Sequence, residues 1–171
     1  MIKYIDFDGV IFDSERHLFD GFQCMYKNGL VINQREYLEL LDWYTYLHKC
    51  KIIKDSLDYI KDDKNSIILG KVCSKQEADA KIKVLKELGY NKECIFIDFD
   101  KNKSDIVSPK GNILVDDTIH NLDDWESSEG YSLFFSEDGN QTDPWGNINT
   151  RHKSITTLKL LHNIDKNNFE E

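Results

Sequence analysis

The chain has 171 residues, of which 40% are hydrophobic and 12% aromatic, with a formal net charge of −9 and a pI near 5.0. This size and composition predict one domain with a substantial core and room for a small insertion. The acidic balance, without a basic run of Lys and Arg, argues against binding to polymeric nucleic acid. A small phosphorylated ligand stays compatible, because a local site can be positive within an acidic protein.

Signal peptides, membrane spans and metal motifs built on Cys or His are not recognisable in the sequence. The first residues lead directly into an acidic stretch, without the apolar segment of about 7–15 residues of a signal peptide. No run approaches the ~18 apolar residues of a membrane span, so we expect no membrane partner. The cysteines form no CxxC pair, which predicts reduced, mostly buried thiols in a cytoplasmic protein. None of these features indicates an oligomeric state.

The first half of the chain is predicted to be one strand followed by helices. A short apolar strand runs from Ile2 to Phe7, and a mostly helical segment extends from about Leu18 to Asp62. Its clearest piece is residues 33–50, predicted as one helix with Asn33 as its N-cap. A second helix is predicted at residues 55–63.

The second half alternates apolar strands with helices. Strands are predicted at residues 66–72, 94–99, 112–117 and 131–136. Helices are predicted at residues 74–90, 118–128 and 154–164, with a loop at 137–147 that Gly and Pro residues interrupt. Short strands that are apolar throughout and separated by helices indicate a parallel sheet covered on both faces.

The predicted fold class is therefore α/β, a Rossmann-like three-layer sandwich around a parallel sheet of about five strands. Residues 1–17 and 64–165 are assigned to the core. Residues 18–63 are assigned to a small helical cap inserted after the first strand, too short for a core of its own. Residues 166–171 are assigned to a C-terminal tail that frays.

Pairs of acidic residues follow two of the predicted strands, at the end of the sheet where α/β proteins bind ligands. Asp6 and Asp8 follow the first strand and can face one site, because residues i and i+2 share a side. Asp116 and Asp117 follow the fourth strand. If these strands are neighbours, the carboxylates converge and cannot all stay ionised without a cation. An all-oxygen site with few ligands suits Mg²⁺, which keeps several waters and binds substrate phosphate.

The order of these motifs resembles the haloacid dehalogenase-like superfamily of phosphohydrolases. The resemblance rests on DFDGV at residues 6–10, a lysine between the third and fourth strands, and LVDD at residues 114–117. It covers the chain from Ile2 to about Phe135. The segment LVDDTIHNLDDW, followed by a strand and a PWGN loop, is also similar to the bacterial and phage 5'-nucleotidase or 5'(3')-deoxyribonucleotidase group. The resemblance implies Mg²⁺-dependent hydrolysis of a phosphomonoester, with a nucleoside 5'-monophosphate as the expected substrate.

The resemblance also implies a role for each motif residue. Asp6 would be the nucleophile that forms an aspartyl-phosphate, and Asp8 the general acid and then the general base. Asp6, the Asp8 carbonyl and the Asp116–Asp117 pair would hold Mg²⁺, one of the pair directly and the other through water. Lys103 would offset the charge of the nucleophile and the phosphate.

Two positions leave alternatives open. Lys103 is favoured as the catalytic lysine because KSD followed by apolar residues matches the nucleotidase pattern, with Lys101 and Lys110 as rivals. The superfamily expects Thr or Ser at the end of the second strand, where this chain has Gly70.

A phosphate-binding hydroxyl near that position is available at Ser74, four residues later. Ser74 also begins a capping box for the next helix, so it is either a phosphate ligand or only a helix cap. Backbone amides at Gly9, Gly70 or Lys71 could compensate in part for the missing hydroxyl.

The departure at Gly70 motivates a second hypothesis, a catalytically weakened relative that binds a phosphorylated ligand or a protein partner. The intact acidic motifs oppose it, since a binding protein has little need of a nucleophile and its acid together. A phosphomutase is a further alternative, because it would share every catalytic residue named above.

Overall fold

The computed structural model describes residues 1–15, 17–164, 167 and 169. Most of the predicted tail, residues 166–171, lies outside the described residues. Its Phe169 stacks on Tyr131, with ring centroids 4.8 Å apart. Among the helices of the described part of the chain, none is long and apolar enough to span a membrane.

Strands and helices alternate along most of the described chain. The strands are β1 (Lys3–Ile5), β2 (Phe12–Asp13), β3 (Lys51–Ile52), β4 (Ser66–Val72), β5 (Cys94–Asp98), β6 (Ile113–Asp116), β7 (Tyr131–Phe135) and β8 (Lys153–Ile155). The α-helices are α1 (Leu18–Lys27), α2 (Gln34–Leu40), α3 (Trp43–Leu47), α4 (Ser56–Asp62), α5 (Lys75–Glu87) and α6 (Ile119–Ser127). Short 3₁₀ helices are found at Lys103–Asp105 and Leu158–Asn163.

Six strands form one parallel sheet in the order β5-β4-β1-β6-β7-β8. The predicted parallel α/β sheet is confirmed, but the predicted count of about five strands is one too few. The additional strand is β8, which occupies the start of the segment predicted as a closing helix. Three residues are too few for a readable alternation of polar and apolar side chains, and only Leu158–Asn163 of that segment is helical.

Alternation along the strands divides the core into two layers, one on each face of the sheet. Ile5 and Val115 belong to the larger cluster, which includes side chains from α4 and α5. Tyr4 and Leu114 belong to the smaller cluster, where Trp125 of α6 packs against them. Helices therefore cover both faces, which gives the three layers expected of a Rossmann-like sandwich.

The helical segment after β2 differs in detail from the prediction of one helix beginning at Asn33. Asn33 caps α2, accepting a hydrogen bond from the Glu36 amide at 2.8 Å. The helix then ends, because Leu41 is extended and Asp42 starts α3 by accepting from the Thr45 amide at 3.1 Å. The Asp42 cap therefore divides into two helices the apolar pattern that predicts one continuous helix.

A two-stranded antiparallel sheet brings together the residues just before α1 and just after α3. Phe12 of β2 pairs with Ile52 of β3. The helices do not form a separate core, since Trp43, Leu47 and Ile60 are buried in the same cluster as the sheet residues. The insertion is therefore anchored against the sheet next to the end of β1.

Candidate active site

The site lies at the carboxyl ends of β1 and β6, which are neighbours in the sheet. The Asp6 amide donates to the Val115 carbonyl at 2.9 Å, which fixes the first acidic residue beside the second motif. Asp6, Asp116 and Asp117 each offer a carboxylate oxygen, and these oxygens lie within 4.8 Å of one another. All three residues are buried, so this arrangement can hold a cation.

Lys103 lies between two of these carboxylates. Its Nζ donates to Asp6 Oδ1 and to Asp116 Oδ2, each at 2.6 Å, and the side chain is buried. Burial opposes its charge, but the two carboxylates outweigh that effect and raise the pKa of Lys103. The rivals Lys101 and Lys110 are exposed. The structure therefore brings Lys103, of the three candidates, to the predicted nucleophile.

Burial makes ionisation of the acidic cluster unfavourable. It raises the pKa of Asp6 to about 7, against the lowering effect of Lys103. Burial, followed by the charge of Glu15, raises the pKa of Asp117 well above its usual range. A divalent cation would remove this penalty, because it stabilises the ionised form of every carboxylate around it.

The two acids after β6 have different surroundings. Asp116 accepts hydrogen bonds from Lys103, from the Asn121 side chain at 3.1 Å and from the Thr118 amide at 2.9 Å. Asp117 receives only a long hydrogen bond of 3.4 Å from the Thr118 hydroxyl within the described part of the chain. Asp116 therefore positions Lys103, whereas Asp117 keeps oxygen atoms that a cation can bind.

Gly9 is required by the turn that follows the first motif. Its φ of +69° lies in the left-handed region, and a Cβ there would be 1.8 Å from Asp117 Oδ2. Its amide donates to the Phe12 carbonyl at 2.8 Å, so the turn itself uses the amide that was predicted to bind phosphate. Gly9 thus allows Asp117 to approach the main chain.

The structure corrects the placement of Gly70. β4 continues to Val72, so Gly70 lies within the strand and not at its end. A Cβ at Gly70 would be 2.9 Å from a ring carbon of Phe96 and 3.2 Å from Cβ of Phe7. Packing against two aromatic residues therefore explains the glycine. The end of the strand, where the superfamily has Thr or Ser, lies beyond Gly70.

Of the other predicted phosphate-binding residues, one lines the cavity and one does not. Ser74 caps α5, accepting from the Glu77 amide at 3.1 Å, and does not line the cavity above the acidic cluster. Lys71 does line this cavity. Burial lowers the pKa of its amine, and the nearby Lys103 lowers it further. At this position it is the Lys71 side chain that offers a cation for a phosphate.

We expect Gly70→Thr, which places a hydroxyl at a packed position inside β4, to destabilise the protein by about 1–3 kcal/mol through overpacking. The control is Cys73→Ser, because Cys73 lines the cavity and has room for the change. Urea unfolding of both variants measures the effect. If Gly70→Thr had unchanged stability and released phosphate faster, residue 70 would belong to the phosphate-binding site and the packing explanation would be wrong.

Asp8 has partners that the sequence analysis did not identify. Ser14 donates its hydroxyl to Asp8 Oδ1 at 2.5 Å, and Lys81 Nζ donates to Asp8 Oδ2 at 2.6 Å. Lys81 is fully buried and also donates to Glu77 Oε1 at 2.6 Å. Both oxygens of Asp8 are therefore held, and the side chain has a fixed direction at the end of β1.

The sequence analysis did not identify Lys81 and Glu77, because charged residues four positions apart on a helix usually form a pair on the solvent-exposed face. The sequence of this helix suggests an apolar stripe of Ala78, Ile82, Leu85 and Leu88. The residues buried on this helix are Glu77, Lys81, Val84 and Leu85. Their spacing could have shown that they are buried, because positions 77, 81, 84, 85 and 88 lie on one helical face.

A cavity of about 830 Å³ opens above the acidic cluster. Asp6 and Asp8 lie in its wall, together with Lys71. The aromatic side chains of Phe99 and Trp145 also line it and are 46% and 55% exposed. Such exposure of large rings beside a polar pocket is typical of a ligand-binding surface.

The loop that carries Trp145 is fixed to the sheet domain by Asp143, which is buried. One oxygen of Asp143 accepts from the Trp145 amide at 3.0 Å and from the Asn147 amide at 2.8 Å. The other accepts from the Ile119 amide at 3.2 Å, at the start of α6. Hydrogen bonds to Asp143 therefore hold Trp145 and its loop at the cavity.

Solved structures show which proteins share this fold. YfnB from Bacillus subtilis, named as a HAD-hydrolase and bound to magnesium, aligns with a TM-score of 0.61 and 11% identity, over 96% of this chain and 98% of its own. The haloacid dehalogenase-like protein SP0104 from Streptococcus pneumoniae aligns with a TM-score of 0.61 and 13% identity, over 95% and 97%. D,D-heptose 1,7-bisphosphate phosphatase from Burkholderia thailandensis aligns with a TM-score of 0.56 and 12% identity, over 94% of both chains.

The chain therefore has the fold of haloacid dehalogenase-like hydrolases. No protein-family model and no curated protein matches its sequence. The narrower likeness to 5'-nucleotidases rests on the sequence motifs.

Proposed function

We propose that the protein is a Mg²⁺-dependent phosphomonoester hydrolase that forms an aspartyl-phosphate and acts on a nucleoside 5'-monophosphate. The observation that carries this proposal is the contact of Lys103 with Asp6 inside a cluster of buried acids at the cavity wall. A carboxylate beside a fixed cation, with further acids to bind metal, is the arrangement that nucleophilic attack on a phosphate requires.

The proposed reaction has two steps, which use Asp6 and Asp8. A carboxylate oxygen of Asp6 attacks phosphorus, the bond from phosphorus to the ester oxygen breaks, and the leaving alcohol takes a proton from Asp8. Asp8 then removes a proton from water, which attacks the aspartyl-phosphate, releasing inorganic phosphate and restoring Asp6. Lys103 and Lys71 offset the negative charge of the phosphate. When bound, Mg²⁺ supplies further positive charge and orients phosphate oxygens.

Asp6, Asp117 and the Asp8 carbonyl would hold the metal. This donor set consists of oxygen atoms alone, as Mg²⁺ prefers. Asp117 supports the assignment because it has no strong hydrogen bond among the described residues, unlike Asp116.

The nucleotide assignment is supported by the cavity. Its volume of about 830 Å³ lies within the range of roughly 300–1,000 Å³ of small-molecule sites. Trp145 and Phe99 offer ring faces on which a base can stack. We also propose a cytoplasmic location, which the four free cysteines support.

The alternative is a weakened, non-catalytic relative that binds a phosphorylated ligand or a protein partner. Packing against Phe96 explains why residue 70 is glycine, but Ser74 does not line the cavity and so does not supply the missing hydroxyl. A phosphomutase would use the same residues and differs in its product, a rearranged phosphate ester in place of free phosphate.

The test is phosphate release from ribo- and deoxyribonucleoside 5'-monophosphates, sugar phosphates and p-nitrophenyl phosphate, with Mg²⁺ and with EDTA. We expect release to require Mg²⁺ and the nucleotides to have the highest kcat/KM. Trp145→Ala should raise the KM for nucleotides about tenfold, or about 1.4 kcal/mol, which lies in the lower part of the roughly 1–3 kcal/mol that one stacked base contributes. It should leave the KM for p-nitrophenyl phosphate unchanged. The matched control is Ile148→Ala, an exposed residue just after the same loop that does not line the cavity.

Two results would contradict the proposal at different levels. Equal or better turnover of sugar phosphates, with no effect of Trp145→Ala, would remove the nucleotide assignment. Absence of release from every compound would remove the hydrolase assignment, and a rearranged phosphate ester as the product would identify a mutase.

A further inference from the structure

A buried lysine on α5 contacts Asp8, the residue proposed to transfer the proton. Lys81 Nζ donates to Asp8 Oδ2 and to Glu77 Oε1, each at 2.6 Å. Its third contact is the Lys71 carbonyl at 3.5 Å. An ammonium group has three N–H donors, and here each of them has an acceptor. The position of Nζ is therefore fixed between the end of β1, β4 and α5.

Aromatic rings surround the same ammonium group. Lys81 Nζ lies 4.9 Å from the ring centroid of Phe7, 5.0 Å from that of Trp43 and 5.8 Å from that of Phe96. Lys81 is fully buried and does not line the cavity, whereas Asp8 does. Lys81 therefore reaches a bound substrate only through the side chains that it holds.

Stability alone gives little reason for a charged residue at position 81. Apolar side chains in place of a buried ion pair are often neutral or even stabilising, and α5 already buries Val84 and Leu85. What the lysine does determine is the direction of Asp8, because Lys81 holds Oδ2 and the Ser14 hydroxyl holds Oδ1. A carboxylate has about four lone-pair sites, so these two donors leave others for proton exchange with a ligand in the cavity.

We propose that Lys81 is a positioning residue that holds Asp8 in the direction needed for proton transfer to the leaving group. The inference rests on the proposed hydrolase function. In the first step the ester oxygen leaves phosphorus with the bonding electron pair and takes the proton of the Asp8 carboxyl group. The carboxylate that results keeps its hydrogen bond from Lys81, which retains its own protons. In the second step this carboxylate takes a proton from the attacking water, so Asp8 returns to its first state.

A double-mutant cycle tests whether Lys81 acts through Asp8. Cleavage of the best nucleotide or sugar phosphate of the panel would be followed in single turnovers, with enzyme in excess and saturating Mg²⁺. We expect Lys81→Met to slow cleavage about 10- to 100-fold, as misplacement of a catalytic group does. Added to Asp8→Asn, the same substitution should slow cleavage by no more than about threefold, because the residue it positions is already lost. A further loss of about tenfold or more in that background would overturn the inference.

The leaving group provides a readout that a merely structural defect would not give. An alkoxide needs a proton in order to leave, whereas p-nitrophenolate leaves without one. In single turnovers, release of p-nitrophenolate by Lys81→Met should therefore stay within about threefold of the wild-type rate, since general acid catalysis contributes little there. Equal losses on both classes of ester, or no loss on either, would overturn the inference.

A second variant keeps the test valid if Lys81→Met is poorly folded. Removal of Lys81 leaves Glu77 buried and charged, so the substitution is also made together with Glu77→Gln. Gln carries no charge and can still accept the hydrogen bond that the Cys73 amide donates to Glu77 at 2.8 Å. This protein should be folded by thermal unfolding and show the same leaving-group difference. The matched control is Lys75→Met, at an exposed position of α5 outside the cavity, which should keep wild-type rates on both esters.

The outcomes separate the inference from the proposed function. If wild type cleaves both classes of ester and the Lys81 variants show no leaving-group difference, the inference is wrong and the hydrolase proposal stands. If wild type cleaves no phosphate ester, both are wrong. A loss that is confined to the alkyl phosphate, and that disappears in the Asp8→Asn background, supports the inference.

Discussion

Asp6→Asn is expected to lower the rate of phosphate release by at least about a thousandfold, as loss of a nucleophile does in other enzymes. Asn has nearly the shape of Asp and can still accept the hydrogen bond from Lys103, so the fold should be retained. What it lacks is the charged oxygen that forms the bond to phosphorus. The measurement is kcat with the best substrate of the panel and saturating Mg²⁺.

The matched control for this variant is Asp98→Asn, an exposed acid at the end of β5. It should retain the wild-type rate, because surface substitutions away from a site have small effects. An Asp6→Asn protein that is folded by thermal unfolding and keeps more than about a tenth of the wild-type rate would contradict the role of Asp6.

The second large effect is expected for Lys103→Met. Lys103 is buried between Asp6 and Asp116, so its removal leaves two buried carboxylates without their cation. Breaking a buried ion pair in this way costs about 3–5 kcal/mol, and the variant should also lose phosphate release. Urea unfolding in EDTA measures the free energy of unfolding without interference from bound metal.

Two further variants show whether the loss comes from charge. Lys101→Met, at an exposed site two residues before Lys103, should change stability by no more than about 0.5 kcal/mol. Adding Asp116→Asn to Lys103→Met should recover part of the lost stability, because one uncompensated charge is removed. Wild-type stability of Lys103→Met would show that the bridge does not form in the protein.

The sheet was largely predictable because its strands are short apolar runs between helices. β8 was not, since it has three residues and pairs only with β7 at the edge of the sheet. The break between α2 and α3 was also missed, although Asp42 and Thr45 have the spacing of a helix cap. Apolar residues on both sides of Asp42 gave a pattern that a longer buried helix would also give.

The acids could be placed from sequence because they follow strands whose ends meet at one edge of the sheet. Lys103 was favoured over two other lysines by its likeness to the nucleotidase pattern. Gly70 was misread because the reason for glycine is a contact with Phe96 on the neighbouring strand, which chain order does not reveal. Glu15 and Lys81 were missed for a similar reason. Glu15 reaches the cavity from the segment after β2, and Lys81 reaches Asp8 from the buried face of α5. Neither position can be recognised from chain order alone.

The central claim is that Asp6 takes the phosphoryl group, and acid-quenched mass spectrometry tests it most directly. Wild type would be mixed with Mg²⁺ and its best substrate, quenched in acid during turnover and digested, with Asp6→Asn treated in the same way. The account predicts one phosphoryl group on the wild-type peptide that contains Asp6 and none on the peptide of the variant. Steady phosphate release with no phosphoryl group on Asp6, or with the group on another residue, would contradict it.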